Sequence, residues 1–98
     1  MVKEVTEDKA FWFCNSVGFV GKKARSLTEF SECIKAVPVD SLEFHLREEK
    51  NDFEAWLKEI MEEPRLADSV KRIKKKSLKG EELKASMHKF ARKLDRLS

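Results

Sequence analysis

From Leu27 onward, apolar residues recur three or four positions apart in five successive stripes, punctuated by Pro38 and Pro64. That spacing gives each of five helices one apolar face, and those faces must bury against one another. The first stripe is Leu27, Phe30, Ile34 and Val37; Ser26-Leu27-Thr28-Glu29 opens it in capping-box form and Pro38 ends it. Asp40 or Ser41 is placed to cap a short second helix with Leu42, His45 and Leu46. Asn51, with Glu54 three positions on, caps a third that carries Phe53, Trp56, Leu57 and Ile60. Pro64 suits the first turn of a fourth, with Leu66, Val70 and Ile73 on its stripe. Ser77 would cap the last, where Leu83, Met87, Phe90, Leu94 and Leu97 alternate four and three apart in a heptad-like seam.

Ahead of the stripes, residues 1–9 are polar and read as frayed. Residues 10–20 are aromatic and β-branched, interrupted by Asn15, Ser16 and Gly18, and Phe11 and Phe13 alternate with Trp12 as in an extended segment. This is a short strand or hairpin, and a lone two-stranded hairpin is marginal unless something packs on it. Ninety-eight residues with 41% hydrophobic content suit one domain over 1–98. The expected fold is therefore all-α: a compact bundle of about five short helices with an extended aromatic N-terminal arm. Apolar runs fall far short of the ~18 residues of a membrane span. Charges at Lys3, Glu4, Glu7, Asp8 and Lys9 interrupt any signal peptide, so a cytoplasmic protein without membrane contact is expected.

Charged residues make up 40% of the chain, with no Gln and no Tyr, a bias that resembles thermophilic composition. The net charge of +3 is unevenly distributed. Residues 1–40 balance, 41–66 carry four basic and eight acidic groups, and 67–98 carry eleven basic and four acidic. An acidic middle and a basic end either answer each other or meet a partner.

The stretch from Phe44 to Leu57 resembles a family of small uncharacterised archaeal and bacterial domains with the signature F-x-x-H-x-x-x-E-K-N-D-F-x-x-W. Seven positions carry the likeness: His45, Glu49, Lys50, Asn51, Asp52, Phe53 and Trp56. Phe11-Trp12-Phe13, the Ser26–Phe30 helix start and the Leu66-Ala67 helix start are similar too, so the resemblance spans roughly residues 10–70. The basic end lies outside it. Where these domains have an early glycine after the aromatic segment, this chain has Ser16, and Gly18 comes later. The resemblance implies a small helical domain of unassigned function.

His45, Asn51, Asp52 and Trp56 form the most specific cluster. It is either a polar pocket in which His45 titrates or donates to a ligand, or a helix junction where Asp52 or a backbone carbonyl holds His45, with Asn51 and Asp52 as caps and Phe53 and Trp56 in the core. Cys14, Cys33, His45 and His88 lack metal-site spacing, no catalytic motif or phosphate-cradling glycine loop is present, and two cysteines without a secretion signal read as reduced thiols. No cofactor, metal or small-molecule substrate is expected. Lys71, Lys74, Lys75, Lys89, Arg92, Lys93 and Arg96 are candidate phosphate contacts if their two helices present one continuous face. The expected function is a small, non-catalytic cytosolic module that binds a protein partner. The alternative is a sequence-indifferent nucleic-acid binder using residues 71–96.

Overall fold

The computed structural model describes residues 4–97, and of Leu97 the backbone alone. The expectations for residues 1–3 and for the Leu97 side chain lie outside the described residues. A single turn of 3-10 helix, Glu7–Lys9, leads into strands β1 (Phe11–Asn15) and β2 (Gly18–Ala24). Five helices follow: α1 (Leu27–Ala36), α2 (Val39–His45), α3 (Asp52–Ala55), α4 (Pro64–Lys75) and α5 (Gly80–Leu97). A π-helical turn, Trp56–Ile60, continues α3 and closes with the Met61 amide on the Trp56 carbonyl at 3.0 Å.

The architecture is thus α+β, which corrects the all-α expectation. The aromatic arm is an antiparallel hairpin, with Phe11 opposite Ala24, Trp12 opposite Lys23 and Phe13 opposite Lys22. Its period of two sends Phe11 and Phe13 inward, where they are 6% and 0% exposed. There they meet Phe30, Phe53 and Trp56, with ring centroids of neighbouring pairs 4.8–6.0 Å apart. Such a hairpin is marginal alone and stable here because α1 and α2 pack against it. The sequence offered residues 10–20 as a short strand or hairpin; the fold class missed that the pair runs on to Ala24 and is held in the core by helices.

The register jumps after Phe13, so that Cys14 pairs with Phe19 and leaves Val20 and Gly21 as a bulge in β2. Gly21 takes φ +87°, a conformation that the absence of a Cβ makes easy.

Helix starts follow local chemistry where a cap is free to act. The Ser26 hydroxyl accepts from the Glu29 amide at 3.2 Å, and Asn51 accepts from the Glu54 amide at 3.0 Å. Glu29 reaches back one residue beyond the cap, to the Arg25 amide at 2.8 Å. Two starts differ from expectation. α2 begins directly after Pro38, because the Ser41 hydroxyl donates to the Cys14 carbonyl instead of capping. α5 begins at Gly80 rather than after Ser77, which sits at φ +52°. A distant side chain supplies its cap: Glu43 accepts from the Gly80 amide at 2.9 Å.

The polar N-terminal segment is held from residue 4 onward, not frayed. Glu4 bridges to Ser26, the Val5 amide donates to the Arg25 carbonyl at 2.8 Å, and the Trp56 indole donates to the Lys9 carbonyl at 2.8 Å. Phe30, Ile34, Phe53, Trp56, Leu57 and Phe90 are buried in one core, with Ile60 half-buried at its edge. The seam residues Leu83, Met87, Phe90 and Leu94 are buried there too, as α5 packs on α1, α2 and α4. That seam closes the domain's own core. No helix of the described residues is long and apolar enough to cross a membrane.

Candidate functional site

Ser41 and His45 stand four residues apart on α2, so one helix face aims both at β1. Together they clamp a single residue of the strand. The Cys14 amide donates to His45 Nε2 at 2.9 Å, and the Ser41 hydroxyl donates to the Cys14 carbonyl at 2.8 Å. Because Nε2 accepts a backbone N–H, the ring proton resides on Nδ1, which donates to Asp52 at 2.8 Å. Burial holds the His45 pKa below the ordinary 6.5, and its hydrogen bond to Asp52 opposes that shift. The ring is neutral at pH 7, lies edge-on to Phe11, and connects β1, α2 and α3.

His45 and Asp52 are therefore brought together, but Asn51 and Trp56 turn elsewhere. Asn51 caps α3 and its amide nitrogen donates to the Val70 carbonyl at 3.4 Å. Trp56 fills the core and ties down Lys9. The four residues form a structural junction with His45 at its centre, and of them only Asn51 lines an open cavity.

The basic residues divide between two sides of α4. Ser69 and Lys74 project about 140° apart at 100° per residue. On the Ser69 side, Lys93 and Arg72 converge on the hydroxyl at 3.2 and 3.4 Å. On the other side, Lys74 donates to the Leu46 and Glu48 carbonyls at 2.5 and 2.8 Å, where it satisfies the C-terminal end of α2. Lys71, Lys74 and Lys75 border a cleft opposite acidic side chains, away from Lys93. Lys89, Arg92, Lys93 and Arg96 are exposed along α5. On the α1 side of that helix, Asp95 pairs with Lys35 at 2.9 Å and lies 2.6 Å from the Ser31 hydroxyl; both contacts hold its carboxyl below the usual range.

Two surface features escaped the sequence reading. One is the outer face of the hairpin. Trp12, Val17 and Phe19 are 43%, 92% and 52% exposed, the large hydrophobic residues left in solvent among those described. Trp12 and Phe19 touch across the strands at 5.1 Å, and Lys23, paired with Glu7, lies over the indole at 4.9 Å. The alternation that buries Phe11 and Phe13 is the signal that puts Trp12 outside. The other is the cleft between the α2–α3 and α4–α5 corners, which depends on how the helices are oriented and leaves no mark in local sequence.

Cys14 and Cys33 are free thiols. Cys33 is buried beside the Lys23 carbonyl, and that burial pushes its pKa up to about 11. Among the described residues, no three His, Cys, Asp or Glu side chains gather as a metal ion requires.

A family model described as "Family of unknown function (DUF5752)" matches residues 1–92. The chain belongs to that family. The match is wider than the motif-bearing residues 10–70 and takes in most of the basic end. No curated protein and no solved structure matches the chain.

Proposed function

We propose that this DUF5752 chain is a non-catalytic protein-interaction module that holds its partner with the outer face of the hairpin. The observation that carries this reading is the exposed Trp12–Phe19 pair across the outer face of the hairpin, with Val17 exposed in the turn that joins the strands. Solvent-facing aromatic residues beside a rigid core are the usual anchors of protein interfaces, since they desolvate large areas at low conformational cost. The Trp12–Phe19 contact and the Lys23 ammonium above the indole hold the anchors in place before a partner arrives. Two free thiols suit a reducing compartment such as the cytoplasm.

The test is affinity capture with immobilised wild-type chain and a Trp12→Ser, Phe19→Ser double variant. A partner retained by the first and lost by the second is expected; equal retention sinks the reading. A Trp56→Phe background leaves Trp12 as the sole indole, so its emission then reports directly on the hairpin.

The second reading is a sequence-indifferent nucleic-acid surface over residues 71–96. Its support is the basic excess of residues 67–98 and the exposed row Lys89, Arg92, Lys93 and Arg96 on α5. Duplex DNA titrated at several salt concentrations separates the two readings. Phosphate contacts predict a log–log slope near about −0.9 per contact, whereas an aromatic protein interface responds far less. Arg92→Glu should weaken DNA binding under this reading and leave partner capture unchanged under the first.

A further inference from the structure

A cleft of about 980 Å³ lies between the α2–α3 corner and the α4–α5 corner, and its two walls carry opposite charge. Asp40, Glu43, Glu48, Glu49 and Glu54 make one side acidic, although Arg47 stands among them with its guanidinium 3.9 Å from the centre of the Phe44 ring. Lys71, Lys74, Lys75 and Lys79 line the other, and Phe44, Leu78 and Leu83 lie between. Unlike charges a few ångströms apart attract, so side chains this mobile would be expected to close on each other. Among the described residues, no ion pair joins these walls.

The reason lies in how the corners are fixed. Lys74, from the basic wall, binds the backbone carbonyls of Leu46 and Glu48, which locks the opposite corner at a set distance. Glu43, from the acidic wall, binds the Gly80 amide and locks the start of α5. Each corner also turns through a residue in the left-handed region, Glu48 at φ +53° and Ser77 at φ +52°. Bulky non-glycine residues adopt that conformation only where their surroundings impose it. These bonds tie the two walls to each other and fix their spacing, and the Lys74 ammonium, with three donors and two carbonyls, keeps one N–H for a further acceptor.

We propose that this cleft binds a mixed-charge peptide segment of a partner protein, its acidic groups on the lysine wall, its basic groups on the glutamate wall and an apolar side chain over Leu78, beside the Phe44 ring that Arg47 covers on one face. Ser16 of the hairpin turn reaches the rim of this cleft, but Trp12 and Phe19, the anchors of the hairpin face, do not line it. A volume at the upper end of the roughly 300–1,000 Å³ range of ligand sites, open to solvent and rimmed by exposed side chains, favours an extended chain over an enclosed small molecule. Bracing the walls before binding removes an ordering cost that a collapsed cleft would impose.

The test titrates the whole chain with three labelled, end-blocked hexapeptides: Glu-Glu-Leu-Leu-Lys-Lys, an all-Glu counterpart and an all-Lys counterpart around the same leucines. Anisotropy is read together with amide shifts in ¹⁵N spectra. Saturable binding of the mixed peptide alone, with shifts at residues 43–54 and 71–79, is expected. Lys71→Glu with Lys75→Glu should weaken it by about tenfold or more, as should Glu49→Lys from the opposite wall, and added salt should weaken it further. All three positions are exposed, and circular dichroism confirms that each variant is folded. Equal affinity for the three peptides, shifts that map outside the cleft, or indifference to both charge reversals would overturn the proposal. Free lysine or glutamate binding as tightly as the peptide would make the cleft a small-molecule site and overturn it equally.

Discussion

The hairpin with its α2 clamp and the pair α4–α5 are built by different means. In α4 and α5 the apolar stripe decides everything: Leu66, Val70 and Ile73 meet the core on one helix, and Leu83, Met87, Phe90 and Leu94 on the other. Most of their charged groups are exposed, and most backbone bonds close within a turn. The hairpin has too little apolar area to stand alone, and side chains of α2 hold it by its backbone at Cys14. One region tolerates surface change; the other concentrates its stability in a few buried contacts. Substitutions can test that contrast directly.

The largest effect belongs to the aromatic cluster beneath the hairpin. Trp56→Ala removes a buried indole and its bond to Lys9, and should cost roughly 3–5 kcal/mol in denaturant unfolding. A cost under about 1 kcal/mol would show that the cluster does not hold the hairpin.

His45→Leu comes next. It leaves the Cys14 amide without its acceptor, and an orphaned buried donor costs about 1–3 kcal/mol. The same residue sets a pH dependence. Its folded pKa lies below the ordinary 6.5, so the unfolded chain binds more protons in mild acid. Stability is fully present above pH 6.5 and falls as the pH drops from there toward the folded pKa, with a slope of at most about 1.4 kcal/mol per pH unit for one proton. Burial also lowers the pKa of His88, as do Lys84, Arg92 and Lys35, so the measurement belongs in a His88→Gln background. Acid sensitivity that survives His45→Leu in that background would remove His45 from the account.

Ser26→Ala and Asn51→Ala should each lose about 0.5–2 kcal/mol, with Asn51 toward the upper end because it also holds Val70. Trp12→Ala breaks an exposed cross-strand pair and the exposed contact with Lys23, and should cost about 0.2–1 kcal/mol, leaving the fold intact for binding assays. Arg92→Glu, exposed on α5, should stay within about ±0.5 kcal/mol. If Arg92→Glu proved as damaging as His45→Leu, the contrast between the two regions would fail.

The same contrast explains what could be read in advance. The five stripes, the caps at Ser26 and Asn51, the first-turn role of Pro64 and the buried seam were all legible, because each depends on residues within a turn or two. The strand character of residues 11–24 was visible only as the alternation of Phe11, Trp12 and Phe13, since beyond Phe30 the groups that hold it come from as far as Ser41, 27 residues past Cys14, and Phe53. The start of α5 was misplaced for a similar reason: its cap, Glu43, comes from 37 residues earlier. At the candidate sites, spacing put Lys71, Lys74 and Lys75 on one side of a helix, but which neighbour that side faces is a property of the packed fold. The pairing of His45 with Asp52 was anticipated as one of two readings; the bond to Cys14 was not, because no local pattern connects a strand amide to a ring on a later helix.

The bulge at Val20 and Gly21 divides the hairpin into two parts with different freedoms. On the near side, residues 11–14 and 22–24 are keyed to the core and to α2, so a one-residue insertion there would rotate Phe11 or Phe13 into solvent. Past it, Asn15 folds the tip upon itself by accepting from the Val17 and Gly18 amides, and its own amide donates to Asp40 on α2. Recomposing residues 16, 17 and 19 therefore changes what the domain displays without disturbing what holds it together, provided Gly18, at φ +143°, is kept. In a lineage, those positions are where new specificity can accumulate while the fold is inherited unchanged, and a library randomised at 16, 17 and 19 should yield folded members far more often than one randomised at 11–14.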